Sequence, residues 1–217
     1  MIDSEESARL WLRSLPEYDD TARARLERLA DLLADENQQQ NLVSRSSMDG
    51  LWRRHIADSA QLLLHVPRET GPWLDLGTGA GFPGLVIAAL RPDIPVVMVE
   101  SRRRRIDWLH RAIDALELRC ASVIGRRLEL VETQPVGVIS ARAFAPLERI
   151  LELSARFSTN QTVWLLPKGR SAQQELYDLK GWAHQFHVEE SLTDPDAGII
   201  VGRLQAPASS GRKGSKA

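Results

Sequence analysis

The sequence predicts a doubly wound α/β domain, with a mostly parallel seven-stranded sheet preceded by a helical extension. Three observations predict it. Short apolar runs alternate with helical segments from Pro72 to Leu204, as βαβ units require. The first apolar run, Trp73–Leu76, passes directly into a glycine-rich turn and then into an apolar helix, Leu85 to Leu90. Upstream, Ser4 to Leu64 carries helical periodicity and no strand signal.

The candidate strands, in order, are Trp73–Leu76, Val96–Val99, Ala121–Ile124, Val136–Ser140, Val163–Leu166, Phe186–Glu189 and Ile199–Leu204. The earlier gaps leave room for a helix, and right-handed crossovers through those helices make the strands parallel. The last two runs are joined by a loop containing Asp194-Pro195-Asp196, which predicts an antiparallel hairpin at one edge. In the extension, Ala22, Leu26, Leu29 and Leu33 repeat at helical spacing behind the start signal Asp19-Asp20-Thr21. A second amphipathic stretch, Met48 to Leu64, places Leu51, Trp52, Ile56, Ala60 and Leu63 on one face, with the polar Glu36–Asn41 segment between the two as a helix end and loop. This divides the chain into a helical extension packed on the core (1–66), the core itself (67–205), and a Ser/Gly/Lys-rich tail (206–217) with no apolar period, expected to be disordered.

Composition narrows the function classes. A hydrophobic share of 43% and a charged share of 26% describe an ordinary globular chain of 217 residues. No apolar run approaches the roughly 18 residues of a membrane span, and the mixed-charge N-terminus is not a secretory leader, so a cytoplasmic address is expected. A lone Cys120 leaves no disulfide and no cysteine cluster for a metal. The net charge of −1 requires that any nucleic-acid contact come from local basic clusters.

The most informative stretch is Trp73-Leu-Asp75-Leu-Gly77-Thr-Gly79-Ala-Gly81-Phe82-Pro83-Gly84. Glycines there permit a tight turn and let the backbone approach a ligand closely. Gly79 to Gly84 also satisfies the dinucleotide pattern G-x-G-x-x-G, and Glu100 follows at a strand end, where an acid would hold a ribose hydroxyl in either cofactor class. Two details favour a cofactor other than a nicotinamide: Asp75 lies inside the strand end ahead of an additional glycine, Gly77, and an acid there suits a methionine ammonium but repels a pyrophosphate. Asp-Leu-Gly-x-Gly-x-Gly resembles the first motif of class I (Rossmann-like) methyltransferases. A dinucleotide-binding oxidoreductase is the alternative.

Further segments resemble one family. Asn41-Leu42, Arg54-His55-Ile56-x-Asp58-Ser59, the Phe82-Pro83-Gly84 loop ending, Glu100-Ser101 before a basic helix start, Arg127-x-Glu129, Ser140-x-Arg142-Ala143-Phe144-Ala145 and Lys168-Gly169 occur in the order of the bacterial ribosomal RNA small subunit methyltransferase G family, also called glucose-inhibited division protein B. Three positions depart from that family: Glu36 stands where a tryptophan is frequent, arginines 102–105 replace a lysine-rich helix start, and a basic residue is missing near Ala197-Gly198.

The resemblance implies transfer of a methyl group from S-adenosyl-L-methionine to guanine N7 in 16S ribosomal RNA, with the RNA or the small subunit as partner, no metal and a monomeric enzyme; another RNA, DNA or protein substrate is the alternative. It implies a cofactor site containing Gly77, Phe82, Leu128, Glu129 and Arg142, to which the glycine-loop reading adds Asp75, Gly79, Gly81 and Glu100. It also implies RNA contacts from Arg54, His55, Arg102, Arg103, Arg104 and Lys168. From the residues alone, Arg54 and Asp58 are expected to form an i,i+4 ion pair, and Ile106, Leu109, Ile113 and Leu116 to form the inner face of the basic helix. No general acid or base is assigned, because N7 carries no proton.

Overall fold

The computed structural model describes residues 1–205; the expected tail, 206–217, lies outside the described residues. In chain order the helices are α1 (Glu5–Leu12), α2 (Asp20–Glu36), α3 (Arg45–Met48), α4 (Asp58–Ala60), α5 (Gly84–Leu90), α6 (Arg103–Ala115), α7 (Leu147–Ser154) and α8 (Ala172–Asp178). The strands are β1 (Trp73–Leu76), β2 (Val96–Val99), β3 (Ala121–Ile124), β4 (Val138–Ala141), β5 (Val163–Gly169), β6 (His187–Glu190) and β7 (Gly198–Gly202), in sheet order β3-β2-β1-β4-β5-β7-β6. β1 to β5 pair in parallel, while β7 runs antiparallel to both β5 and β6.

The hairpin follows from loop length. Only residues 191–197 separate β6 from β7, too few for the crossover of a dozen or more residues that a parallel pairing demands. Pairing with β7 also extends β5 beyond Leu166 to Gly169, and β4 begins at Val138 because Val136 donates its N–H to the Phe157 carbonyl outside the sheet. Leu204, read as strand, keeps only an isolated bridge to His184.

Strand alternation sorts the core into two layers. Trp73, Val96, Met98, Val138, Leu165 and Val201 share one apolar cluster with α5, α6 and the N-terminal helices. Leu74, Leu76, Ile139, Trp164, Leu166 and Ile200 face α7 and α8 in the other. The extension thus covers the same sheet face as α5 and α6. A buried Arg91–Glu17 ion pair at 3.3 Å, an Ile2 N–H to Leu192 carbonyl bond of 2.7 Å and an Arg25 bond to the Leu116 carbonyl of 3.1 Å fasten it there.

Two local readings are corrected. Along α6 the fully buried residues are Trp108, Leu109 and Ala112, with Leu116 just past its end; Ile106 and Ile113 are only half-buried. The Trp108 Nε1–H donates to the Ala80 carbonyl at 3.0 Å, which turns that ring toward the glycine loop. The expected amphipathic helix from Met48 to Leu64 buries its five predicted residues but is not one helix. A π-helical turn, Trp52–Ala57, a single α-turn and a 3₁₀ turn, Gln61–His65, succeed one another. The Glu5 carboxylate opens the π-turn by accepting the Trp52 and Arg53 N–H groups.

Candidate cofactor and acceptor site

The parallel strands β1, β2, β4 and β5 end on one edge of the sheet, where ligands bind in such folds. Two clefts open there. The smaller, of about 310 Å³, is lined by Gly77, Glu100, Arg102, Leu128, Glu129 and Phe144 among others. The larger, of about 790 Å³, lies between the ends of β4 and β5, the N-terminal π-turn and the β6–β7 loop. Ala143 and Phe144 line both.

At the smaller cleft, Gly77 sits at a φ of +61°, and a Cβ there would run into the Phe144 ring. Only a bare backbone leaves this cradle open. Glu100, at the end of β2, is buried; its Oε1 accepts the Ser101 and Arg102 N–H groups at 2.7 and 2.9 Å, and its Oε2 accepts the Gly79 N–H at 3.2 Å. This carboxylate supplies the negative charge that the N-terminus of α6 wants, and offsets the arginines gathered there. A carboxylate has about four acceptor sites, so Oε2 retains capacity for a ribose hydroxyl. Leu128 is buried as an apolar wall, while Glu129 is exposed and 3.9 Å from Arg149. A bare backbone cradle, a strand-end carboxylate and an apolar wall are the donor set that an adenosyl group with free ribose hydroxyls fits.

Asp75 does not belong to that lining. It is fully buried, its Oδ1 accepting Ser140 Oγ–H at 2.7 Å and its Oδ2 accepting the Gly84 N–H at 3.0 Å. The expectation that it meets a cofactor ammonium is therefore corrected: its carboxyl ties β1 to β4 and to the start of α5 underneath the glycine loop. Burial pushes its pKa up to about 6, against the pull of those hydrogen bonds. Gly81 is likewise a packing glycine, since a Cβ there would collide with Leu85. Gly79 also has a left-handed φ, +60°, but more room, with Arg105 at 3.4 Å and the Gly77 carbonyl at 3.7 Å from such a Cβ. Phe82 lines neither cleft; it is buried and stacks on the His55 ring at 4.9 Å, with the Arg142 guanidinium 5.3 Å from its centroid.

The larger cleft is organised around Arg142, one residue past β4. Its Nη1 donates to Asp58 Oδ2 and to the Arg54 carbonyl, both at 3.1 Å, and its Nη2 donates to His55 Nδ1 at 2.9 Å. The anticipated Arg54–Asp58 pair is replaced by Arg142–Asp58, because the π-turn directs His55 and Asp58 together toward β4. Arg54 remains exposed and lines the cleft. His55 is buried, and burial together with Arg142 and Arg54 lowers its pKa to about 3, so the ring is neutral. A buried neutral ring accepting from Arg142 is not a phosphate ligand, and the direct RNA contact expected of it is corrected. Lys168 is also occupied: its Nζ donates to the Ala145 carbonyl at 2.6 Å and to Glu175 at 2.8 Å, with 7% of the side chain exposed. Burial raises the Glu175 pKa, but Lys168, Ser171 and the Leu147 N–H outweigh it and hold that carboxyl below its usual range.

Arg102, Arg103 and Arg104 are exposed at the start of α6, Arg103 beside Asp107 and Arg104 donating to the Gln39 carbonyl at 2.8 Å. Three cations of the smaller cleft lie outside the contacts expected from sequence: Arg105, read only as part of the basic helix start, and Arg126 and Arg127, the latter read only as part of a family segment. The last two follow β3 on the ligand edge, the same signal that singled out Glu129. Thr193 and Gln61, which both bond to Asp58, carried no signal at all.

The family model described as rRNA small subunit methyltransferase G matches residues 22–193. The chain belongs to the rRNA small subunit methyltransferase G family. A family protein of Novosphingobium aromaticivorans is 59% identical over 207 residues, covering 94% of this chain and 90% of its own length. One of Erythrobacter litoralis is 56% identical, covering 95% of this chain and 99% of its own. Solved structures agree on the fold. A SAM-dependent methyltransferase from Aquifex aeolicus superimposes with a TM-score of 0.58 at 14% identity, covering 78% of this chain and 98% of that one. Fibrillarin of Aeropyrum pernix, solved with natively bound S-adenosyl-L-methionine, reaches 0.51 at 19% identity over 66% of this chain and 73% of that one. The fold class read from the glycine loop is thus a class I methyltransferase fold, as the seven-stranded sheet and these neighbours agree.

Proposed function

We propose that this protein transfers a methyl group from S-adenosyl-L-methionine to N7 of a guanine in 16S ribosomal RNA, acting as a cytoplasmic monomer on the RNA or the small subunit. The observation that carries the reading is membership of the rRNA small subunit methyltransferase G family across most of the chain, combined with two clefts that meet at Ala143-Phe144. In this reading Gly77, Glu100 and Leu128 hold the adenosyl end, Phe144 stands between cofactor and base, and the larger cleft admits the nucleobase. Residues 1–66 belong to the working unit, since the π-turn supplies one wall of that cleft. Arg54, Arg102, Arg103 and Arg104, joined by Arg126 and Arg127, are the exposed cations that would meet phosphates.

When bound, the cofactor supplies a methyl group activated on a sulfonium. The chain's contribution is alignment and exclusion of water, and holding reactants in line is worth about 7–11 kcal/mol in favourable cases. Guanine N7 has a free lone pair and no proton, so no side chain needs to remove one. Two of the three carboxylates lining the larger cleft fit that requirement, Asp58 being engaged by Arg142 and Glu175 by Lys168, while the third, Asp194, is exposed and accepts the Asp196 N–H.

The deciding experiment maps N7-methylguanine in 16S ribosomal RNA from a deletion strain with and without the restored gene. Loss of one modified site that returns on complementation is expected; an unchanged map overturns the substrate assignment. Single-turnover transfer followed from pH 6 to 8 should be flat. A rate rising tenfold per unit would instead point to a proton-bearing acceptor.

A further inference from the structure

Asp58 stands out among the buried charges of the site because it touches three separate parts of the fold. It opens α4 directly after the π-turn. Its Oδ1 accepts Thr193 Oγ1–H from the β6–β7 loop at 2.8 Å and Gln61 Nε2–H at 2.9 Å, and its Oδ2 accepts from Arg142 behind β4 at 3.1 Å. Both Asp58 and Arg142 are about four-fifths buried, and both line the larger cleft.

The donor count on Arg142 shows what this arrangement leaves free. A guanidinium has five N–H groups. Both on Nη1 are taken, by Asp58 and the Arg54 carbonyl, and one on Nη2 is taken by His55. His55 must accept at Nδ1, because a guanidinium has no lone pair to offer; its Nε2 therefore carries the proton and is buried without a partner. The ring is consequently a spacer between Arg142 and Phe82 and not a proton carrier. What remains on Arg142 is Nε–H and one Nη2–H, two donors left in the guanidinium plane of a residue that lines the larger cleft.

Charge makes Asp58 necessary. The proposed reaction, on which this inference rests, brings a cationic sulfonium to the site and turns the acceptor base cationic. An uncompensated guanidinium beside the junction of the clefts would repel both. We infer that Asp58 is the positioning residue of the site: it neutralises Arg142 and holds its guanidinium in place at the cleft wall, so that a cationic cofactor is tolerated beside it. Thr193 and Gln61 in turn hold Asp58, which makes the β6–β7 loop part of the same device.

The test uses the full chain without RNA, so it is independent of which nucleotide is methylated. Binding of S-adenosylmethionine, which is cationic at sulfur, and of S-adenosylhomocysteine, which is neutral there, is measured by calorimetry on wild type and Asp58→Asn. Asparagine keeps one acceptor, for Arg142, and removes the charge; its amide NH2 also replaces the oxygen that Thr193 and Gln61 use, a loss common to both ligands, so the charge is read from the difference between them. The expected result is a tenfold or larger weakening for S-adenosylmethionine and less than threefold for S-adenosylhomocysteine, with Asp58→Glu close to wild type. If both ligands weaken equally, or neither does, Asp58 is a structural anchor and the inference is overturned. Asp58→Asn/Arg142→Gln provides the check should the single variant fold poorly: removing the stranded cation should return the affinity ratio to that of wild type, and a ratio still displaced would overturn the inference too. Failure of wild type to bind either ligand would sink the methyltransferase reading itself, a separate outcome.

Discussion

The two clefts are built by different means. The smaller takes its key features from short contiguous stretches: Gly77 after β1, Glu100 at a strand end and Leu128-Glu129 in a 3₁₀ turn. Its floor is the bare Gly77 backbone and a Glu100 carboxylate fixed by backbone N–H groups. The larger is assembled from side chains of the π-turn, the segment after β4, the end of β5, and the β6–β7 loop, joined by the Arg142–Asp58 and Lys168–Glu175 pairs. The difference teaches where each site is vulnerable. A backbone cradle fails when one atom is added, whereas a network of buried charges fails when one atom is taken away.

The largest effect should come from adding an atom at Gly77. Gly77→Ala combines a left-handed φ with a clash against Phe144, and S-adenosylhomocysteine affinity is expected to fall by at least a hundredfold. Gly79→Ala shares the left-handed φ but has no clash, a Cβ there making ordinary contacts with Arg105 and the Gly77 carbonyl, and should cost far less. Equal losses in a calorimetric comparison of the two would break the assignment of the cradle to Gly77.

Next is removal of an atom from the charge network. Lys168→Met strands Glu175 against the Leu147 N–H and Ser171, and should destabilise the fold by about 2–4 kcal/mol in urea titration. Lys168→Met/Glu175→Gln should recover most of that loss. No recovery in the double variant would mean that the lysine acts chiefly through the Ala145 carbonyl.

A smaller effect is expected from pH. Asp75 takes up its proton more readily folded than unfolded, because burial raises its pKa from 3.8 to about 6. Between about pH 4 and 6 the folded chain then holds more protons, so its stability falls as pH rises through that window and levels above it. Wild type minus Asp75→Asn, followed by thermal melting from pH 4.5 to 7.5, should show that slope, on the order of 1–3 kcal/mol in total. A difference independent of pH would mean the carboxyl is ionised throughout.

The smallest concerns the exposed arginines. Arg103→Glu should flatten the salt dependence of RNA binding by about 0.7 in the log–log slope for one lost phosphate contact, leaving cofactor affinity alone. An unchanged slope would make Arg103 a solvated partner of Asp107 and nothing more.

The sequence by itself determined the layered α/β fold, because period-2 and period-3.6 apolar patterns and a strand-glycine-helix junction are local signals that survive without tertiary context. It also located the sheet edge where the smaller cleft opens, since a glycine turn and an acid at the next strand end are separated by a spacing the sheet dictates. Only the tertiary structure decided what those residues touch. Asp75 reads as a ligand group in one dimension, yet strand alternation turns it into the layer between β1 and α5. His55 and Asp58 read as neighbours of Arg54 on a regular helix, but the π-turn rotates them onto Arg142, 87 and 84 residues away in sequence. Lys168 reads as a free cation until packing of α8 brings Glu175 to it. Which partner a charged side chain chooses depends on who is desolvated beside it, and that is known only when distant segments have packed.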